Sequence, residues 1–171
     1  LLGIIAATSP NSLRDYSSMT VAIFGICIPD FVLGQILVWI FALHLGWFDV
    51  IGWDTLGDSV LPTITLGFIY AANIARLCRG SMVEMLSQNF IRTARAKGLS
   101  EKLITIKHAL RGSLLSVVSY IGPTAAGVIT GSFVVETIYQ IPGLGRIFVQ
   151  AAFNRDYTLI VGTVLFYAFI I

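Results

Sequence analysis

NFIRTARAKGLSEKLITIKHALR, residues Asn89 to Arg111, is a short basic island between two apolar blocks, each long enough to cross a bilayer. The rest of the chain reads as membrane, and this stretch reads as a docking surface. Asn89 is placed to cap the helix that follows by bonding the free amides of its first turn. Gly98 is placed to close that helix in the left-handed conformation other residues avoid. Ser100 then caps a second helix. Between the caps, Ala94, Ala96 and Gly98 are small enough to let another protein approach the backbone, and Arg92, Arg95 and Lys97 ring them. The same residues also describe an ordinary loop whose cations hold topology.

Composition sets the surroundings. Of 171 residues, 56% are apolar and 12% charged, and mean hydropathy is +0.85. Soluble domains carry about 25% charged residues, so too little polar surface is present to coat a globule. The fold class is an all-α integral membrane protein. A net charge of +2 gives no electrostatic basis for binding nucleic acid. Cys27 and Cys78 lie in apolar segments without short-range partners and read as small buried hydrophobes rather than a disulfide framework or zinc site. No basic leader precedes LLGIIAA, and both ends fall within apolar runs, so the expectation is the middle and later part of a longer subunit.

Along the chain, Leu1 to Ala7 reads as the tail of one span, ended by Thr8-Ser9-Pro10-Asn11. A polar linker with Arg14 and Asp15 follows. Met19 to Leu43 is an apolar block that exceeds the roughly 30 Å hydrocarbon core and tolerates tilt. Pro29, Asp30 and Gln35 interrupt it; Pro29 is expected to kink the helix, and Asp30 to face the bundle interior or water. The loop from His44 to Asp58 carries Asp49, Asp54 and Asp58, with Trp39, Trp47 and Trp53 in or near it as an interfacial belt. A span from about 59 to 79 has Pro62 in its first turn and Arg76 and Arg79 at its exit. Its helix either restarts at Ser81 or, as preferred here, runs on to Ser87. After a connecting region over 80–112, Ser113 to about 136 forms another span, with Gly122-Pro123 and a Gly127-x-x-x-Gly131 face beside Thr130 and Ser132. That spacing permits close packing in lipid. Residues 137–157 return to turn formers ahead of a short amphipathic stretch, Arg146 to Phe153, and Thr158 begins a last span.

If the spans alternate, Arg14, Arg76, Arg79, Arg92, Arg95, Lys97, Lys102, Lys107 and Arg111 share one side, against Arg146 and Arg155 on the other. The first side is cytoplasmic by the positive-inside rule. The basic island therefore faces the compartment that holds ATP.

RTARAKGLS followed by HALR, together with ARLCRGSMVEML before it and VVETIYQIPGLGRIFVQAAFNRDY after it, resembles the permease subunits of binding-protein-dependent ABC importers. The likeness covers most of Ala75 to Tyr157 and is to the oligopeptide, dipeptide and nickel branch, nearest the oligopeptide-permease type. Across that superfamily the loop reads Glu-Ala-Ala, three residues, Gly, nine residues, then Ile-x-Leu-Pro. Aligned on Gly98, this chain has Arg92-Thr93-Ala94 and His108-Ala109-Leu110-Arg111, so only Ala94, Gly98 and Leu110 match the general form. The fit is to the peptide branch, where Arg-Thr-Ala is usual.

The resemblance implies the transmembrane domain of a type I ABC importer, here a partial helical bundle, in a bacterial inner membrane. It implies that Arg92, Thr93, Ala94, Arg95, Ala96, Lys97, Gly98 and Leu99 form the loop that couples to a cytoplasmic ATPase. The implied partners are a second permease subunit, two ATPase subunits and an extracytoplasmic solute-binding protein, besides membrane lipid. ATP and magnesium would sit on the ATPases, and no cofactor on this chain. The sequence agrees in lacking a Gly-x-x-x-x-Gly-Lys-Ser/Thr phosphate loop. Nor do its serines and histidines form a catalytic constellation. In the resembling subunits the 137–157 region lies near the outer gate and the receptor-docking surface. That role carries onto Glu136, Pro142, Gly143, Gly145, Arg155 and Asp156. On physical grounds alone the segment is re-entrant or interfacial, with Glu136 ending the span and Arg155 and Asp156 closing the short helix.

Asp30 has two readings. With Gln35 it lines the translocation pathway, or it pairs with a polar group on a neighbouring helix. It also defines a rival function, an ion-gradient-driven secondary transporter or channel with Asp30 as the carrier site.

Overall fold

The structure, a computed structural model, describes residues 1–129 and 132–170. Every regular element in them is helical, as the composition requires. The chain divides into two compact units, Leu1–Cys27 with Tyr70–Gly122 and Ile28–Ile69 with Pro123–Ile171. Two stretches, Leu56–Ser87 and Glu101–Ile138, are long and apolar enough to cross a membrane. Leu13–Cys27 with Asp30–His44 makes a third if counted as one broken span.

In the first unit, α1 (Leu2–Thr8) and α2 (Leu13–Cys27) meet through a tight turn, followed in sequence by the later part of α4 (Val60–Ser87). Asn11 takes φ +61 in that turn, a left-handed conformation asparagine tolerates better than most residues, and its N–H donates to Asp15 at 2.9 Å. Arg14 and Asp15 are thus not linker residues, as expected above, but part of the helix. Asp15 is buried, and it accepts two bonds of 2.6 Å from the Arg79 guanidinium on α4. α1 lies against α4 by bare backbone, because a Cβ on Gly3 would strike the Ala75 carbonyl and crowd Arg79 N and Cys78 Cβ.

The expected single kinked span over Met19 to Leu43 is instead two helices. α2 stops at Cys27, and α3 (Asp30–Leu37) starts after Pro29, whose backbone is extended. Proline has no N–H to continue the ladder and disfavours helical geometry in Ile28 before it. Asp30 opens the new helix by accepting the Phe31 N–H at 2.8 Å. Cys78 is buried as expected, but Cys27, at the broken end, is exposed.

The second unit continues α3 as a π-helical segment, Val38–His44, and enters α4 through a single 3-10 turn, Leu56–Ser59. Its core gathers Ala42, Leu61, Val135 and Tyr139. The buried Tyr139 hydroxyl lies 2.8 Å from Thr65 Oγ1 and donates to the Gly34 carbonyl at 3.3 Å. α7 (Leu110–Ile129) carries Pro123 within it. Ser132 caps a fresh helix, α8 (Phe133–Ile138), by accepting the Val135 N–H. Thr130 and Gly131 of the expected small-residue face lie outside the described residues, and Gly127 is exposed. α9 (Leu144–Asn154) and α10 (Tyr157–Ile170) follow, close to the expected amphipathic stretch and last span.

The Gly3 contact makes a direct prediction. Gly3→Val forces a side chain into α4 backbone that cannot yield, an overpacking cost of about 1–3 kcal/mol. At about 2–4 °C per kcal/mol, the Tm of the detergent-solubilised protein falls measurably. Gly67→Ala, inside α4 where an added Cβ meets nothing, does not lower it.

Candidate functional site

The basic island is a helix, a glycine turn and a second helix, folded onto the first unit. α4 runs unbroken to Ser87. Ser81 does not restart it; its hydroxyl lies within hydrogen-bond distance of the Leu77, Cys78 and Ser113 carbonyls, which share its one proton. α5 spans Asn89–Ala96, with Gln88 rather than Asn89 in the cap position and no side-chain cap bond. Asn89 is already helical, and its carbonyl accepts from the Thr93 hydroxyl. At the other end the expectation for Gly98 holds: φ is +78. Gly98 N–H donates to the Arg95 carbonyl at 2.9 Å and Leu99 N–H to the Ala94 carbonyl at 3.3 Å. This is the paired closure of a helix by a left-handed residue. Ser100 occupies the next cap position without a side-chain bond; α6 (Glu101–Leu103) then passes into a π-helical segment, Ile104–Ala109. Nothing in the sequence announced that wider turn.

The island has two faces. Ile91 is fully buried and Ala94 is 8% exposed. Both join a core with Met82, Ile104 and Ala109, against which Leu99 packs. Ala94 packs on the chain's own core, where a small side chain lets α5 lie close. Arg92, Thr93, Arg95, Ala96, Lys97 and Gly98 form the exposed side. Arg95 bonds Glu101 across the turn, Nε at 2.7 Å and Nη2 at 3.1 Å. The carboxylate holds the guanidinium proton more firmly than usual. Beside the turn a groove of about 340 Å³ brings Thr93, Ala94, Lys97 and Leu99 together with Phe90 and His108.

The second candidate set is split in role. Glu136 lies within α8, near the end of the apolar stretch Glu101–Ile138, and its carboxylate accepts the Arg146 N–H at 3.0 Å. Gly143 and Gly145 leave room for that carboxylate, since a Cβ on either would collide with Glu136, and on Gly145 with Phe133 too. Arg155 ends α9 at φ +58, and Asp156 caps α10 by accepting the Leu159 N–H at 3.0 Å. Pro142 is exposed between them. Asp30 is half-buried and accepts from the Ser132 hydroxyl at 3.3 Å, the structural pairing foreseen for it, while Gln35 is exposed. Among the described residues, no group of three or more His, Cys, Asp or Glu could hold a metal.

A family model described as "binding-protein-dependent transport system inner membrane component" matches residues 1–171. The chain belongs to this family. It is 51% identical over 160 residues to the oligopeptide transport system permease protein OppB of Escherichia coli K12, covering 92% of this chain and 52% of that protein. It is 47% identical over 171 residues to the dipeptide transport system permease protein DppB of Bacillus subtilis 168, covering 100% and 56%. It is 42% identical over 166 residues to the glutathione transport system permease protein GsiC of Escherichia coli O1:K1, covering 97% and 54%. The chain spans about half the length of the curated relatives it matches. In this chain, the Gly98 turn lies in the loop that joins the later part of α4 to the start of α7.

A Cβ on Gly98 would meet nothing within 4 Å, so substitution there tests backbone conformation alone. Gly98→Ala costs about 1–2 kcal/mol in the left-handed region. Amide exchange at Lys97 to Leu99, read by mass spectrometry, speeds roughly tenfold; exchange at the wild-type rate contradicts the turn.

Proposed function

We propose that this chain is part of the transmembrane subunit of an ATP-driven importer that carries peptides, oligopeptides foremost, across the bacterial inner membrane. It pairs with a second permease, and the exposed face of 89–111 engages a cytoplasmic ATPase. Two such ATPases supply ATP and magnesium chemistry, and a solute-binding protein delivers cargo from outside. Family membership and the peptide permeases among the relatives support the reading.

One observation carries the mechanism. The cations of α5 are outward while Ile91 and Ala94 interlock with Met82 of α4 and with Ile104 and Ala109, which lead into α7. Close-packed interiors transmit displacement rather than absorb it. A partner that closes on ATP and moves α5 must therefore move those helices, shifting the bundle between inward-open and outward-open forms. The segment holding Glu136, Pro142, Gly143, Gly145, Arg155 and Asp156 serves at the outer gate and receptor face, its glycine cradle keeping the turn rigid.

Gly98→Val in the complete transporter is expected to leave membrane insertion and ATPase turnover largely intact while peptide uptake falls at least about tenfold, the loss of a 1.4 kcal/mol constraint. Uptake near wild type removes the coupling assignment. Cysteines at Arg95 or Lys97 should crosslink to the ATPase; crosslinks to lipid alone contradict it.

Asp30 separates this from an ion-driven carrier. Its carboxylate is engaged by the Phe31 amide and the Ser132 hydroxyl, bonds an amide side chain can partly replace. Asp30→Asn should keep ATP-dependent uptake within about threefold, a loss near 0.6 kcal/mol. Abolished uptake with ATPase activity intact favours the carrier.

A further inference from the structure

In the first unit α4 presents two faces. One, through Ala75, Cys78 and Arg79, is taken by α1 and Asp15. At about 100° per residue, Asn73, Gly80 and Glu84 fall on the other side. That side opens into a cleft of about 440 Å³, whose far wall is Ser116 and Tyr120 of α7. The volume falls within the roughly 300–1,000 Å³ of ligand sites. Ser81 pins the two helices at the cleft by donating to the Ser113 carbonyl at 3.2 Å. A Cβ on Gly80 would meet nothing, so the floor is open.

The lining chemistry is unusual for helices of this kind. Asn73, Arg76, Ser81, Glu84, Ser116 and Tyr120 offer a cation, an anion, an amide and three hydroxyls. They stand on stretches long and apolar enough to cross a membrane. Asn73, Ser116 and Tyr120 turned to lipid are costly, and Arg76 and Glu84 stand at and beyond the cytoplasmic exit of the span, so this face meets water or a polar solute. Arg76 and Glu84 are both exposed, and neither enters an ion pair among the described residues. The opposite charges disfavour a purely anionic or purely cationic ligand, because one of the two would repel it. Eight residues of helix separate them by about 12 Å. An extended peptide covers about 3.3–3.6 Å per residue, so the spacing suits the two termini of three or four residues.

We infer that this cleft is a water-lined stretch of the solute path that takes a zwitterionic peptide, Arg76 meeting its carboxylate and Glu84 its ammonium group. The inference rests on the peptide-import reading and adds to it the groups that handle the cargo. An Arg–carboxylate contact can be bidentate, which fixes orientation as well as charge.

The test uses the complete transporter in vesicles, with Cys27→Ser and Cys78→Ala removing native thiols and Ser116→Cys as reporter. A membrane-impermeant thiosulfonate presented to both faces should modify the reporter, and saturating tripeptide should slow that modification severalfold. In uptake assays, Arg76→Gln should raise the half-saturating concentration of a free tripeptide about tenfold, as loss of a charged hydrogen bond implies. It should leave the C-terminally amidated tripeptide unchanged, and Glu84→Gln should behave likewise with N-acetylated tripeptide as the insensitive substrate. A purely structural role would depress free and blocked peptides alike, and that result overturns the inference. So does a reporter that never reacts, as burial against lipid or a second permease would cause, or one that peptide fails to protect. These outcomes leave the import reading standing when the wild-type complex takes up peptide; a wild-type complex that takes up none removes both.

Discussion

A cation-rich loop holds a fixed shape at a membrane surface only if its apolar side is locked to something stiffer. Here the lock is Ile91, which is wholly buried together with Met82, Ile104 and Ala109. Burying an isoleucine side chain is worth about 1.5–3 kcal/mol. That exceeds what a solvent-screened, exposed pair such as Arg95 with Glu101 contributes. The ion pair shapes the turn, and the isoleucine fastens it. Ala94 belongs to the same lock: a larger side chain there would hold α5 away from the core it must grip.

The loop is held firmly but asymmetrically. On the α4 side the helix is continuous through Ser87, and Asp15 clamps it with two bonds to Arg79. On the α7 side the connection passes through the π-helical segment Ile104–Ala109. Wider turns of this kind recur at functional positions because one hydrogen-bond register is already displaced. The packing around Ile104 and Ala109 is nonetheless complete, so the segment has a defined resting geometry. Rigidity on one side and a displaced register on the other leave α7 as the element better able to change its helical geometry.

Much of this was legible in the sequence because its causes are local. The hydropathy pattern and the cation distribution required a helical membrane protein with one basic loop, Gly98 required a left-handed closure, and Pro29 required an interruption. What failed was non-local. Asp15 meets Arg79 from 64 residues away and Tyr139 reaches Thr65 from 74 residues away, and no pattern along the chain marks either pair. The partners of Glu136 were likewise invisible along the chain. Here the Arg146 amide and two glycines accommodate it. The packing of Ala94 on Ile91's core was not legible either, because a small side chain permits close approach from either side. The cap position fell on Gln88, one residue before Asn89, and no side chain caps there; one position is the scale on which helix ends are least determined by sequence.

The same helix links the loop with the cleft. α4 bears α1 on the face through Ala75 and Arg79, the polar lining on the other, and at its end the buried contacts that anchor α5. With the α1 face clamped by Asp15, slippage along that contact breaks charged hydrogen bonds in a buried place, where their loss is most costly. Movement imposed on α5 is therefore opposed on the clamped face and freest on the open one. Ser81 and Ser113 join α4 and α7 through one 3.2 Å hydrogen bond, a contact weak enough to be remade in a second arrangement. A lever fixed along one face and loosely tied along the other would widen or narrow the space between α4 and α7 when its end is pulled. That space is the cleft lined by Arg76, Glu84 and Tyr120.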